Sequence, residues 1–248
     1  MTPTVDTLRS FAAGYVPAVT GDQMREIDRV MIEELGITLV QMMENAGLQL
    51  ADLVRRHIAA PVAGGRVAVL AGRGHNGGGG LAAARRLSNL GADVTAVLAD
   101  APENFQDIPA LQLSILRRIN VPISQFDGTL PAHDVLVDAL IGYGLRGAPR
   151  GTTRYVIVAA NESTARTISL DAPSGVDVDT GEAPGEAIRA HATLTLALPK
   201  TGLLEPGARS FVGELYVADI GVPPSVYAGL GLHVPPLFAD GPLARLLL

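Results

Sequence analysis

The chain has no cysteine and no tryptophan, and aromatic residues make up only 4% of its 248 positions. Without cysteine there is neither a disulfide framework nor a thiolate metal site. Without many aromatics, a hydrophobic share of 48% leaves the core to Ala, Val, Leu and Ile. No apolar run reaches the about 18 residues that a membrane span requires. The N-terminus MTPTVDTLRSFAAGYVPAVT lacks the basic start and uninterrupted apolar stretch of a signal peptide, so the cytoplasm is the expected compartment. Positive charge is also in deficit. A net charge of −6 argues against non-specific nucleic-acid binding, which needs a basic face to displace counterions, but leaves room for a local phosphate site. The five histidines show no metal-ligand spacing, and no zinc site is assigned.

What the chain does have is glycine and proline, 28 and 17 residues, clustered between apolar runs where they read as turns. Residues 1–18 read as a loosely ordered lead-in to one domain spanning 1–248. Thr20-x-x-Gln23 has the form of a capping box, followed by Met24, Ile27, Met31 and Leu35 at helical spacing, and Gly36 closes this helix. A second amphipathic helix is expected over Thr38–His57, with Met42 and Met43 as core filling. From Arg66 short β-branched runs alternate with helical stretches. Strands are expected at Val67–Leu70, Val94–Leu98, Val135–Val137, Thr167–Leu170, Thr193–Ala197 and Glu214–Val217. Helices are expected at Leu81–Leu90, around Ala110–Ile119 and near Tyr155–Asn161. Such alternation predicts an α/β fold with a mostly parallel sheet and helices on both faces. Ligands in such sheets bind beyond the C-terminal strand ends, and three polar loops sit there.

The first loop, AGRGHNGGGG, carries Gly72, Gly74 and Gly77 in the pattern G-x-G-x-x-G. The run Gly77–Gly80 lets backbone approach a ligand, and a following helix N-terminus favours phosphate. The alternative is a flexible turn without a ligand. His75 is either a hydrogen-bonding imidazole or a solvent-facing loop residue. Asp100 lies about 20 residues on, where a dinucleotide fold holds its ribose, though a surface turn residue is the preferred reading. The second loop, VDALIGYGLRGAPRG, places Asp138 directly after a strand, then glycines with Arg146 and Arg150 to meet anionic oxygens. The arginines read equally as a solvated face, the preferred reading for Arg150. The third, SLDAPSGVDVDTGE, ends a strand at Asp171, and a carboxylate held there is a candidate general acid/base. Asp177 and Asp179 read as turn formers. Carboxylate, amide and hydroxyl oxygens from these loops suit a hard cation.

Together VTGDQMREIDRVMIEELGI, QMMENAG, AGRGHNGGGG, VDALIGYGLRG, SLDAPSGVDVDTGE and LTLALPKTGLLEPGARSFVGELYVADIGVP resemble, in order, the NAD(P)H-hydrate epimerase family, or YjeF N-terminal domain. The resemblance spans roughly residues 19–222. It implies a Rossmann-like three-layer αβα sandwich, usually a homodimer, that interconverts the R and S forms of hydrated NADH or NADPH. It implies potassium held by Asn76, Asp138 and Ser174. Substrate contacts would come from His75, Asn76, Gly77, Gly78 and Gly79, from Gly142, Tyr143, Gly144, Leu145, Arg146, Gly147 and Ala148, and from Asp171, the acid/base candidate. In many relatives a dehydratase domain is fused to this one. Here the dehydratase is expected as a separate polypeptide. The family's loop usually reads G-x-G-N-N-G-G-D-G, so His75 and Gly79 replace an amide and a carboxylate. Two other readings therefore stand beside the epimerase: a degenerate nucleotide-binding or interaction module on the same fold, and a nicotinamide dehydrogenase.

Overall fold

The computed structural model describes residues 8–57 and 62–248. Among them, nine strands form one sheet: β1 (Arg9–Ala12), β2 (Arg66–Ala71), β3 (Asp93–Leu98), β4 (Ile123–Gln125), β5 (Val135–Ala139), β6 (Arg166–Leu170), β7 (Ala192–Leu196), β8 (Glu214–Ala218) and β9 (Leu243–Leu247). Their order is β1-β9-β8-β7-β6-β5-β2-β3-β4. All neighbours pair in parallel except β8 and β9, which are antiparallel. The helices are α1 (Gly21–Arg29), continued by a π-helical turn over Val30–Glu34, then α2 (Leu39–His57), α3 (His75–Asn89), α4 (Asp107–Arg118), α5 (Gly151–Glu162), and the short α6 (Arg209–Val212) and α7 (Pro224–Gly229).

Strand alternation explains the layers. On β2, Val67, Val69 and Ala71 face one side and pack with Leu53 and Val54 of α2, Leu81 and Leu87 of α3, and Leu113 and Leu116 of α4. Ala68 and Leu70 face the other side and meet Val156, Ile157 and Ala160 of α5. Further along, Leu215 and Val217 of β8 pack with Met24 and Ile27 of α1, Val212 of α6 and Val226 of α7. Both faces are covered, so the strands are apolar almost throughout, as parallel sheets are. The expected α/β sandwich is observed.

The differences lie at edges and boundaries. Residues 1–7 of the expected lead-in are outside the described residues. Arg9–Ala12, far from loose, is the edge strand β1, paired with β9. The capping box at Thr20 and Gln23 is present in both directions. The largest correction concerns α3, which begins at His75 with Gly74 as its N-cap rather than near Leu81. The glycine run is therefore helix, not loop.

Close packing explains the four glycines there. A Cβ on Gly77 would lie 1.7 Å from the Gly72 carbonyl oxygen, and one on Gly80 would lie 2.4 Å from Ala139 Cβ. The same helix presses on α2, where a Cβ on Gly47 would lie 2.7 Å from Ala82 Cβ. Glycine lowers helix propensity by roughly 1 kcal/mol per residue, and here close approach to sheet and α2 overrides that cost. A Gly80→Ala variant is expected to lose about 1–3 kcal/mol through overpacking, despite its better helix propensity. Urea denaturation should show part of that loss restored by adding Ala139→Gly. Equal stability of Gly80→Ala and wild type would contradict the packing account.

Candidate active site

The sheet reverses its winding between β2 and β5. From β2 the chain moves outward through β3 and β4, then returns to β5 on the other side and continues through β6 to β8. The crevice beyond these strand ends is where open α/β sheets bind ligands. The loops that meet there are in backbone contact. Gly72 N–H donates to the Ala139 carbonyl at 3.2 Å, and a Cβ on Gly72 would lie 2.0 Å from the Leu140 carbonyl oxygen. A cavity of about 760 Å³ opens at this point.

One wall is the start of α3. Its first internal bond runs from Gly78 N–H to the Gly74 carbonyl at 3.1 Å. The N–H groups preceding Gly78 therefore have no intrahelical acceptor, and with the helix dipole they favour an anion. His75, Asn76 and Gly79 line the cavity, whereas Gly77 and Gly78 are not among its lining. Gly78 is turned to Met43, whose sulfur would lie 2.9 Å from an added Cβ. From the second loop Gly142, Tyr143, Gly144, Leu145 and Arg146 line the cavity, whereas Gly147 and Ala148 do not. Met42 and Met43 are buried core residues, as expected, but both also line the cavity.

Asp171 forms the floor. It follows β6 with φ of 68°, in the left-handed region that costs a non-glycine residue of order 1–3 kcal/mol and is found at functional sites. Its carboxylate is 3% exposed as a residue and fixed on both oxygens. Lys200 Nζ donates to Oδ1 at 2.6 Å, and Tyr143 N–H donates to Oδ2 at 2.8 Å. Lys200 itself is fully buried. It also donates to Thr195 Oγ1 at 3.2 Å and to the Leu196 carbonyl at 2.9 Å, so all three ammonium protons have acceptors.

Beside this pair, Asp138 is also fully buried. Its Oδ1 accepts from Ser174 Oγ at 2.5 Å and Leu140 N–H at 3.2 Å. Its Oδ2 accepts from Ser169 Oγ at 2.8 Å and Ser174 N–H at 2.9 Å. Burial pushes its carboxyl above the usual range, against these hydrogen bonds. Asn76 donates through Nδ2 to the Leu170 carbonyl at 3.2 Å, which leaves its amide oxygen as an acceptor. Carboxylate, amide and hydroxyl are hard oxygen donors, and Asp138 has no Lys, Arg or His partner among the described residues. A buried carboxylate with no cationic side chain fits a monovalent cation.

Among the lining residues that the sequence reading left unmarked, two make side-chain contacts within the site: Lys200 and Asp28. Lys200 sits inside the LPKTG segment of the family resemblance, with no spacing to flag it. Asp28 Oδ2 accepts from Tyr143 Oη at 2.5 Å. The remaining candidates are structural. Asp100 accepts from Ala101 N–H and Asn104 Nδ2 at 2.8 and 2.7 Å in a turn. Asp177 accepts from the N–H groups of Asp179 and Thr180, and Asp179 accepts from Gly21 N–H at 2.6 Å, at the start of α1. Arg150 is the exposed N-cap residue of α5.

Comparison with known proteins fits this geometry. A family model described as YjeF-related protein N-terminus matches residues 39–202. The chain is 46% identical over 222 residues to the NAD(P)H-hydrate epimerase of Dehalogenimonas lykanthroporepellens, across 88% of this chain and 87% of that protein. It is 38% identical over 226 residues to the NAD(P)H-hydrate epimerase of Truepera radiovictrix, across 90% of this chain and 98% of the other. With the Bifunctional NAD(P)H-hydrate repair enzyme Nnr of Moorella thermoacetica it shares 38% identity over 220 residues, 85% of this chain but 41% of that one. A yeast crystal structure superposes with a TM-score of 0.79 at 23% identity, covering 93% of this chain and all of the other, a likeness of fold.

The ion pair gives the first test of the site. Lys200→Met leaves a buried carboxylate uncompensated and is expected to cost about 3–5 kcal/mol in chemical denaturation at pH 7. Lys200→Met/Asp171→Asn removes the stranded charge and is expected to lose less than the single variant. Additive losses would show that the two side chains are not coupled.

Proposed function

Because the chain belongs to the YjeF-related N-terminal family, we propose that it is an NAD(P)H-hydrate epimerase, interconverting the R and S forms of hydrated NADH and NADPH. The observation that carries this reading is Asp171, ion-paired and oriented on the floor of a cavity whose wall is a helix N-terminus. The hydrated ring carries a hydroxyl on the carbon next to the ring nitrogen. The nitrogen lone pair expels that hydroxyl once it is protonated, and the planar cation takes water back on either face. A carboxylate beside the cation stabilises it, and a positioned acid/base contributes about 10²–10⁴-fold. The N–H groups at the start of α3, with Arg146 at the mouth, hold the pyrophosphate. Gly142 and Gly144 let the backbone approach the ring, between the side chains of Tyr143 and Leu145.

Asp138, Asn76 and Ser174 are the residues proposed to hold a potassium ion. When bound, the ion supplies a fixed positive charge that offsets the buried carboxylate of Asp138. Ser174 also accepts from Ile141 N–H at 2.8 Å, so these side chains couple the loops after β5 and β6 whatever their ligand. The enzyme is proposed to work in the cytoplasm as a homodimer, alongside a dehydratase that consumes one epimer. Among the described residues no helix is long and apolar enough to cross a membrane.

Gly79 lines the cavity where the family's usual loop has an aspartate. A Cβ there would meet only the tip of Leu170, at 2.9 Å, so the backbone tolerates a side chain if Leu170 shifts. Epimerisation of R-enriched NADPH-hydrate, followed by chromatography at a pH where the spontaneous reaction is slow and with potassium present, tests the assignment. Wild type is expected to speed equilibration, and Asp171→Asn to lose about 10²–10⁴-fold of that acceleration. An inactive wild type beside an active Gly79→Asp would instead mark a site that has lost a needed carboxylate and now only holds a ligand.

A further inference from the structure

Asp28 and Tyr143 form a second hydrogen-bonded acid pair in the same cavity as Asp171, and the reading above gives it no task. The pair joins α1 to the loop after β5 across 115 residues of sequence, with 2.5 Å between Tyr143 Oη and Asp28 Oδ2. Both residues line the cavity. Tyr143 also reaches the other carboxylate, through its backbone N–H to Asp171 Oδ2. One residue thus touches both acids, with its backbone at Asp171 and its phenol at Asp28. The length of a tyrosine side chain separates the two points.

Epimerisation needs two faces. The hydroxyl departs from one side of the ring and water returns on the other, and one carboxylate at one end of the cavity attends to one side. The geometry points to Tyr143 as a second catalytic residue, a proton donor to the departing hydroxyl that Asp28 positions and reloads, with Asp171 serving the opposite face. This rests on the epimerase reading. In the first half, the nitrogen lone pair becomes the second bond to carbon, and the carbon–oxygen bond breaks with its electrons going to oxygen. Once Asp28 is protonated, its O–H donates to Tyr143 Oη, the reverse of the bond Tyr143 makes to the carboxylate, and the phenolic proton is free; the leaving oxygen takes that proton and departs as water, while the Asp28 proton moves to the phenolate oxygen. In the second half, a water oxygen bonds carbon from the other face, the C=N electrons return to nitrogen, and Asp171 takes the water's proton. The reverse direction uses the same groups in opposite roles, and exchange with solvent resets them.

The surroundings suit these tasks. Asp28 is pushed above the usual carboxylate range, chiefly by burial; Tyr143 and the charges of Lys200 and His75 pull against this, and Asp171 reinforces it. The Tyr143 phenol is pushed upward by burial, by Asp28 and by Asp171, with Arg25 opposing, and protonation of Asp28 removes that carboxylate's share of the push. Asp171, in contrast, sits in a salt bridge with Lys200.

Steady-state epimerisation of NADPH-hydrate by wild type, Tyr143→Phe, Asp28→Asn and Asp28→Glu tests the inference. Tyr143→Phe keeps the ring and is expected to lower kcat about 10²-fold or more, with KM within a few-fold of wild type. In wild type, kcat/KM should fall as pH rises through the raised Asp28 pKa, because the acid must be protonated to donate. Asp28→Asn should lose activity and that alkaline limb together, and Asp28→Glu should recover part of both. A Tyr143→Phe enzyme with wild-type kcat overturns the inference, as does an alkaline limb unchanged in Asp28→Asn. If Asp28→Asn fails to fold, Tyr143→Phe decides alone. A wild type that does not accelerate epimerisation overturns the epimerase reading, and this inference with it.

Discussion

The buried pair of Lys200 and Asp171 is the interaction on which the site depends. An ammonium and a carboxylate out of water are costly unless geometry and further hydrogen bonds compensate. Here Thr195, Leu196 and Tyr143 N–H complete the set. Lys200 does more than neutralise Asp171. Its backbone forms an isolated bridge with Val19, with Val19 N–H to the Pro199 carbonyl at 2.9 Å and Thr201 N–H to the Val19 carbonyl at 3.0 Å. Val19 immediately precedes the capped start of α1, and α1 carries Asp28. The residue that orients one carboxylate through its side chain therefore places the other through its backbone. A shift in the segment after β7 would move both.

The glycine-rich segment shows how tertiary packing can override the local structure that a motif suggests. Four consecutive glycines read as a loop because each lowers helix propensity and carries extra chain entropy. The chain instead winds them into the first turns of α3, because sheet, α2 and the preceding loop all approach within side-chain distance. Those approaches are tertiary and cannot be read from local propensity. The helix starts at His75, so its first turn, rather than a preceding loop, borders the crevice.

The alternation of strands and helices was legible because β2, β3, β5, β6, β7 and β8 are apolar runs punctuated by turns. Their boundaries fell within one or two residues, since burial on both faces leaves little else for such runs to be. The edges were not legible. β4 has three residues and β1 four, and β1 and β9 find each other from opposite ends of the chain. The carboxylates Asp138 and Asp171 were legible from their position at strand ends, although Asp138 falls within β5 rather than directly after it. Lys200 and Asp28 were not, because what marks them is contact: Lys200 reaches Asp171 across 29 residues and Asp28 reaches Tyr143 across 115. A lysine next to proline and an aspartate on a helix otherwise look like surface residues.

Charge adds a last constraint. The chain carries a net charge of −6, and the dinucleotide proposed as its substrate, with a pyrophosphate, is also an anion, so the molecule as a whole repels it. At physiological ionic strength, exposed charges more than about 8 Å apart are largely screened, which removes most of that repulsion at the approach. Inside the cavity the balance differs. Lys200 is matched by Asp171, and Arg25 by Asp22 at the rim. The α3 N-terminus and Arg146 remain at the wall and mouth, and the helix end exerts its pull only within its first turn. Attraction of the anionic end is therefore local and short-ranged, while the buried carboxylates lie deeper, Asp138 near the end of β5 and Asp171 directly after β6. A ligand with an anionic end and a ring that passes through a cation meets each charge where it is complementary, and in one orientation only.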